Sequence, residues 1–344
     1  MSRTKDTLSL RCTKIINETA DVKTFRFANK SNEPFCFKAG QYVTLKLEIE
    51  GQAYQRCYTI ASSPENNEYI DLTVKLVDDG IVSNWLLEHF KTGDYLEAVQ
   101  PAGTFYLRET QKKALLMISA GSGVTPMLSM LRTISDDDRY NIKYHHSART
   151  SSDLISHHEL EAISRQHSGA DLTISYNFSR ECVKEIAGAK VFGGRVTKQM
   201  LMNVCADLTE RDVFVCGPPE FMRLVKESML GLGLPENQYF EESFEISAIE
   251  ADADYTPQEF DLVFSHSNIK IKVASNQTVL EAAEEVGIYL DYSCSSGICG
   301  SCTSYLVDGE IHSPEAKALD DSDVENGEFL PCCSFARSDL VVDL

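Results

Sequence analysis

No stretch of this sequence comes near the ~18 consecutive apolar residues that a membrane-spanning helix needs. The opening residues, Met1-Ser2-Arg3-Thr4-Lys5-Asp6, hold no apolar core of the kind a secretory leader carries. A soluble, cytoplasmic protein with no membrane partner is the expectation. Internal repeats and low-complexity tracts are also missing, so the chain does not read as a repeat array. Basic residues are scarce: 32 Lys and Arg stand against 52 Asp and Glu, for a net charge of −20. The deficit is uneven, since residues 259–344 carry 16 acidic and 4 basic side chains, a net of −12. Such a surface repels nucleic acid and anionic membranes, and no nucleic-acid partner is expected. It serves solubility or, concentrated at one end, docking to a basic protein. Histidine patterns for metal binding are absent as well. His145, His146, His157 and His158 form two adjacent pairs with no third His or convergent carboxylate, and they read as ordinary strand-end and helix residues.

Cysteine is what the chain has in quantity. With 11 Cys and no leader, the thiols are expected in a reducing compartment, available as ligands. Cys294, Cys299 and Cys302 follow a C-x4-C-x2-C spacing, and Cys332, itself followed by Cys333, comes after a further 29 residues. Zinc sites show two separated C-x2-C knuckles, which this chain lacks. The spacing is that of plant-type 2Fe–2S centres. Three thiolates must converge on two irons from one loop, and Gly297 and Gly300 permit the tight turns that this requires. Single-electron transfer is the implied chemistry.

At 344 residues, two or three domains are expected. Residues 1–107 are strand-dominated: Val43-Thr44-Leu45-Lys46-Leu47 and Leu72-Thr73-Val74-Lys75-Leu76 alternate between turn residues, as an antiparallel β-barrel would. In residues 108–246 the texture changes. Ala114-Leu115-Leu116-Met117-Ile118-Ser119 is a continuous apolar run leading through Gly into a helical stretch, and Val213-Phe214-Val215-Cys216-Gly217 repeats it. That is the pattern of a doubly wound parallel α/β domain. Residues 247–258 are acidic, small and close to Pro257, as a solvated linker is. Residues 259–344 begin with a hairpin, Phe260 to Phe264 and Ile269 to Val273. A helix over 278–286, the cysteine loop and a strand over 303–307 follow, which together describe a small β-grasp-like domain.

Four further motifs carry chemistry. Arg56-Cys57-Tyr58-Thr59 ends a barrel strand, where an Arg can meet a pyrophosphate and an aromatic two residues on shares its face. Gly80-Ile81-Val82-Ser83 opens a helix, and Ser83 reads either as a phosphate neighbour or as the helix cap. Ala120-Gly121-Ser122-Gly123-Val124-Thr125-Pro126 follows the first parallel strand, with Pro126 where a dinucleotide fingerprint has its third Gly. Cys216-Gly217-Pro218-Pro219 ends the later strand, at the edge where open α/β sheets bind ligands.

The series R-x-Y-T, G-x-x-S, A-G-S-G-V-T-P, C-G-P-P and a C-terminal ferredoxin pattern resembles the flavin reductases of the ferredoxin–NADP reductase superfamily, from about Leu10 onward. Within it, the chain is similar to reductases of the hybrid cluster protein and to those serving Rieske-type oxygenases, such as betaine demethylases. The resemblance implies an FAD-binding β-barrel, an NAD-binding α/β domain and a 2Fe–2S ferredoxin domain. It implies FAD contacts at Arg56, Tyr58 and Thr59, Lys75 on the strand beneath the flavin, and Ile81, Val82 and Ser83 near the pyrophosphate. Nicotinamide-nucleotide contacts are implied at Gly121, Gly123, Thr125, Cys216, Gly217 and Pro218. Alignment of Leu330-Pro331-Cys332 selects Cys332 over Cys333 as the fourth ligand beside Cys294, Cys299 and Cys302. The stretch from Tyr239 to Phe244 matches the segment that closes over the flavin. Because this chain continues beyond it, the residue that shields the ring stays open.

The expected cofactors are FAD, a 2Fe–2S cluster and NADH. Ser179, Arg180 and Arg149 lie where some relatives hold the extra phosphate of NADPH. The implied reaction takes a hydride from NAD(P)H and passes single electrons to a partner redox protein, the hybrid cluster protein first, with a Rieske-type oxygenase as the alternative. No catalytic acid, base or nucleophile is assigned. A non-enzymatic alternative is an iron–sulfur redox sensor, for which no DNA-binding element is visible. Oligomeric state is not fixed.

Overall fold

The computed structural model describes residues 7–244 except 79, 110 and 167–170, and residues 258–344 except 289, 291, 293–296, 298–299, 301, 314–315 and 317. The chain divides into two units, Met1–Ser243 and Phe244–Leu344. The expected linker over 247–258 lies, apart from Gln258, outside the described residues.

The N-terminal unit begins with strands β1 (Thr7–Thr19), β2 (Val22–Asn29), β3 (Tyr42–Ile49), β4 (Gln52–Thr59) and β5 (Tyr69–Lys75). Helix α1 (Ile81–His89) and strand β6 (Tyr95–Val99) follow. The sheet order is β4-β3-β6-β1-β2-β5, and every pairing is antiparallel. Glu50 and Gly51, both at positive φ, form the two-residue turn between β3 and β4, whose twist matches that of the strands. The outer strands then meet: Ile60 bridges Leu72, and the Ala61 N–H donates to the Asp71 carbonyl at 2.8 Å. This closes the expected barrel around Phe25, Phe27, Val43, Leu45, Ile70 and Leu72, with Leu86 of α1 packed into the same core.

A second sheet is built from β7 (Ala114–Ala120), α2 (Val124–Ile134), β8 (Asn141–Ala148), α3 (His157–Gln166), β9 (Leu172–Phe178), β10 (Ala189–Gly193), α4 (Lys198–Val204), β11 (Asp212–Cys216), α5 (Pro219–Leu230) and β12 (Tyr239–Glu242). All pairings are parallel, in the order β10-β9-β8-β7-β11-β12. Leu115, Met117 and Tyr144 bury one face together with Leu128 and Leu131 of α2. Leu116, Ile118, Val213 and Val215 bury the other with Leu201 of α4 and Val225 of α5. This is the expected doubly wound domain. Its strand order reverses between β7 and β11, so the loops after Ala120 and Cys216 diverge above one crevice. There the two loops touch. A Cβ on Gly123 would lie less than 3.0 Å from the carbonyl oxygen of Cys216.

The C-terminal unit holds β13 (Glu259–Phe264), β14 (Ile269–Ala274), α6 (Val279–Glu285), β15 (Ser304–Asp308), β16 (Ile311–His312), α7 (Asp321–Glu325), β17 (Glu328–Phe329), β18 (Phe335–Ala336) and β19 (Leu340–Asp343). The main sheet runs β14-β13-β19-β15-β17, with β13 and β19 parallel. Thr278 caps α6 in a reciprocal box: its hydroxyl accepts from the Glu281 N–H at 3.1 Å, and the Glu281 carboxylate accepts from the Thr278 N–H at 2.9 Å. Val279, Ala282 and Ala283 pack onto Leu262, Phe264 and Val342, completing the β-grasp form. Among the described residues, no helix is long and apolar enough to cross a membrane.

The paired histidines take the ordinary places expected of them. His145 and His146 are buried near the end of β8, and His157 and His158 open α3. His145 is bonded to Ser175 at 2.8 Å and Asn177 at 3.0 Å, and His146 to Ser119 at 2.8 Å. Burial holds His145 down at about 4, and burial with the neighbouring His145 and Lys75 holds His146 at about 3.

Two predictions follow from this packing. Gly123→Ala should cost about 2 kcal/mol in urea unfolding, because neither backbone can yield without moving a strand end; an unchanged midpoint would contradict the contact. The histidines also set an acid limit. Unfolded, each binds a proton near pH 6.5, whereas folded it resists until about pH 4 or 3. The stability they provide is therefore complete above pH 6.5 and lost as pH falls below it. The loss should reach about 3 kcal/mol for the pair between pH 6.5 and pH 5. Thermal unfolding followed by near-ultraviolet circular dichroism across that range measures it.

Candidate functional site

β4 stands at the end of the sheet order, beside β3. Leu45 lies opposite Arg56, Val43 opposite Tyr58 and Tyr42 opposite Thr59. Arg56 and Tyr58 therefore share a face, as the two-residue spacing requires. Arg56 Nη1 donates to the Gln55 carbonyl at 2.7 Å, which folds the guanidinium back along the strand. Tyr58 packs against the barrel core, and burial pushes its phenol up. Thr59 is buried at the strand end. Barrel closure at Ile60 and Leu72 brings β5 alongside, so Lys75 stands on the neighbouring strand, 3.6 Å from Asp21.

Of the two readings of Ser83, the helix cap does not hold. The N-cap of α1 is Gly80, with no side-chain cap, and Ser83 sits in the first turn. Its hydroxyl accepts from the Val77 N–H at 3.2 Å and donates to the Gly80 carbonyl at 3.4 Å. A Cβ on Gly80 would lie 2.7 Å from that oxygen, so the Gly makes room for the serine. Val82 is buried in the barrel core and Ile81 is half exposed. What this turn offers an anion is its backbone N–H groups, with no acidic residue within the first turn itself.

At the strand-order reversal, the six expected nucleotide residues converge. Gly121 has φ +54 and nothing within 4 Å of the position its Cβ would take, so its backbone is open to a close ligand. Thr125 is buried and donates its hydroxyl to the Ser122 carbonyl at 3.0 Å, which braces the turn. Cys216 is fully buried, and burial with the charge of Glu242 raises its thiol well above the usual range. Glu242 lies directly opposite it in the β11–β12 register. Gly217 and Pro218 lead into α5; a Cβ on Gly217 would meet the Phe221 ring at 2.8 Å. The end of β5 lies against the Gly121–Gly123 turn, so the strand of Lys75 and the crevice adjoin. Open backbone amides without a nearby first-turn carboxylate fit an extended phosphate ligand. Farther along the sheet, the Arg180 N–H donates to the Arg149 carbonyl at 2.9 Å, and both side chains are exposed.

In the C-terminal unit, Cys302 and Cys332 are buried in one cluster with Leu280, Tyr292 and Leu330. Cys294 and Cys299 lie outside the described residues. Gly297 and Gly300 have φ of 70 and 68, the left-handed turns expected of them. The loop is tied down at its start, where Tyr292 donates to Glu284 at 2.6 Å, and at its end, where Thr303 donates its hydroxyl to the Gly300 carbonyl at 2.7 Å. Cys333 donates its thiol to the Leu330 carbonyl at 3.6 Å. Two buried thiols and a glycine-turned loop fit a thiolate-held cluster.

Sequence reasoning missed Ser129, Arg132 and Asp71, which join the barrel to α2. No local signal marks them, since their partners are distant in the chain. Glu242 was within the segment singled out, and its burial beside Cys216 distinguishes it.

Family models match this chain in order: an oxidoreductase FAD-binding domain over residues 9–106, an oxidoreductase NAD-binding domain over 117–227 and a 2Fe-2S iron-sulfur cluster binding domain over 263–337. The glycine betaine monooxygenase reductase subunit of Chromohalobacter salexigens is 35% identical, over 97% of this chain and 95% of its own. The NADH oxidoreductase HCR of Escherichia coli is 30% identical, over 95% of each. Among solved structures, phthalate dioxygenase reductase shares the fold, with a TM-score of 0.68 at 23% identity over 98% of both chains. With these three domains in this order and relatives similar from end to end, the chain belongs to the NAD(P)H-dependent flavin iron–sulfur oxidoreductases of ferredoxin–NADP reductase type, which pass electrons from NAD(P)H through FAD and a 2Fe–2S cluster to a partner redox protein.

Proposed function

We propose that this chain is the reductase component of a Rieske-type oxygenase, with the terminal oxygenase as its electron acceptor. The observation that carries the reading is the end-to-end similarity to a glycine betaine monooxygenase reductase subunit. This puts the oxygenase ahead of the hybrid cluster protein that the sequence motifs brought forward first. The second reading keeps a footing in the 30% identity to the NADH oxidoreductase HCR, a likeness that also favours NADH as the donor.

The geometry supports a set of residue roles within this reading. Arg56, Tyr58, Thr59 and Lys75 hold FAD along the barrel seam, and the amides of Ile81, Val82 and Ser83 receive its pyrophosphate. Gly121, Gly123 and Thr125 shape the turn that takes the nucleotide phosphates, while Cys216, Gly217 and Pro218 line the crevice for the nicotinamide. Cys216 stays a protonated, small apolar wall. Cys294, Cys299, Cys302 and Cys332 ligate the cluster. The thiol of Cys333, spent on the Leu330 carbonyl, supports Cys332 as the fourth ligand. The bound flavin takes electrons in pairs and releases them singly; the protein orients and insulates.

Asp320, Asp321 and Asp323 belong to the acidic surface of residues 259–344. Asp320 caps α7 by accepting from the Ser322 and Asp323 N–H groups at 2.9 and 3.0 Å, and Asp323 returns the bond to the Asp320 N–H at 2.9 Å. A docking role therefore rests on Asp321 and Glu325.

Cys302→Ser should abolish the cluster absorbance and cytochrome c reduction while NADH-dependent ferricyanide reduction persists, because the two units have separate cores. Equal loss of both activities would count against that separation. Stopped-flow mixing of the NADH-reduced protein with a Rieske-type oxygenase should oxidise the reductase within turnover time, the rate falling as salt rises. Reduction of hybrid cluster protein but not of the oxygenase would reverse the proposal.

A further inference from the structure

We infer that α2 sets the position of the flavin-bearing strand relative to the nucleotide turn, with Arg132 as the positioning residue; this rests on the flavin and nucleotide roles proposed above. α2 starts directly after the Gly121–Gly123 turn and runs for 11 residues as one rod. Its far half faces the barrel. Ser129, fully buried, donates its hydroxyl to the Ser62 carbonyl at 2.8 Å and accepts the Gly40 N–H at 3.3 Å. Gly40 precedes β3 and Ser62 follows β4, and the two strands pair with Tyr42 opposite Thr59. A single hydroxyl therefore holds both strands of the hairpin at the end that carries Tyr58 and Thr59. The approach is close: a Cβ on Gly40 would lie 2.7 Å from Met130 Cε of α2.

Arg132 grips the same end with charge. Its Nη1 donates to the Ala61 carbonyl at 2.6 Å, while Nε and Nη2 donate to the Glu159 carboxylate at 2.6 and 2.5 Å. Asp71, 3.9 Å from Nη1, is held in turn by Arg26 at 2.8 and 2.9 Å. Ala61 and Asp71 are the residues whose backbones close the barrel seam, so Arg132 reaches both sides of it. A cavity of about 650 Å³ beside the seam is lined by Ser62, Ser63, Asn66 and His157 and also by Arg132 and Asp71 themselves. The segment of Ala61 and Ser62 is thus held from two directions, to β5 through Asp71 and to α2 through Ser129 and Arg132. Ala61 is two residues from Thr59, so a displaced carbonyl moves the flavin contacts with it, and a misplacement of about 1 Å costs on the order of a hundredfold in a transfer step.

The test uses the holoenzyme with Arg132→Ala, Arg132→Lys and Ser129→Ala. Arg132→Ala should slow flavin reduction by NADH about tenfold at saturating nucleotide, leave the NADH dissociation constant unchanged and weaken the nicotinamide–flavin charge-transfer band. Hydrogen exchange of residues 58–63 should rise, and Arg132→Lys should recover part of each loss. Should Arg132→Ala fail to retain FAD, Ser129→Ala is read by the same measurements and decides the matter. Wild-type reduction rate, band and exchange in the folded variants would overturn the inference, as would a lowered melting temperature with those three unchanged. Arg56→Ala, titrated with FAD, tests the underlying flavin assignment separately: unchanged affinity there removes that assignment whatever Arg132 does.

Discussion

The N-terminal unit depends on one backbone contact, in which the carbonyl of Cys216 fills the space that any side chain at position 123 would need. Parallel pairing of β7 with β11 places Ser119 opposite Cys216, so the two loops leave the sheet at the same height. Both then enter helices whose first turns point backbone N–H groups toward the crevice. No side chain has to supply the positive potential there; two converging helix starts do. The turn after β7 is accordingly built from glycine, threonine and proline, with no acidic residue in the first turn of α2.

The barrel and the α/β layers each have an apolar core of their own, and the contact between them is different in kind. Val22, Ala39 and Phe105 reach into the α/β core, but the ties through Ser129 and Arg132 are hydroxyl, carbonyl and guanidinium bonds. Apolar burial is non-directional and tolerates sliding, whereas hydrogen bonds fix angle as well as distance. A pair of redox domains that must hold two cofactors at a set separation benefits from the second kind. Glu18 adds a further tie from β1, accepting the Ser156 N–H at 3.0 Å at the start of α3.

Much of this was legible in the sequence. The apolar run from Ala114 to Ser119 announced a buried parallel strand, and β7 covers it. The hairpin read over Phe260 to Phe264 and Ile269 to Val273 is β13 and β14 within a residue at each end. The glycines at 297 and 300 were assigned left-handed turns from chemistry alone, and they have them. Three things escaped. The barrel seam at Ile60 and Leu72 depends on how far the sheet coils, which no local period encodes. Ser83 looked like a cap, yet Gly80 occupies that place because the serine hydroxyl needs its space. Arg132 resembles any solvated helix residue until the barrel is set against it.

The reciprocal cap at the start of α7 has a consequence for how such proteins diversify. Asp320 and Asp323 complete each other's hydrogen bonds, so neither can change alone without loosening the helix that precedes the Cys332 segment. Part of the negative surface thus serves the frame as well as carrying charge. Selection for a new partner is left to act on Asp321, Glu325 and the exposed Val324, which alter the face without touching the frame. Partner choice can drift while the cluster-bearing fold is kept.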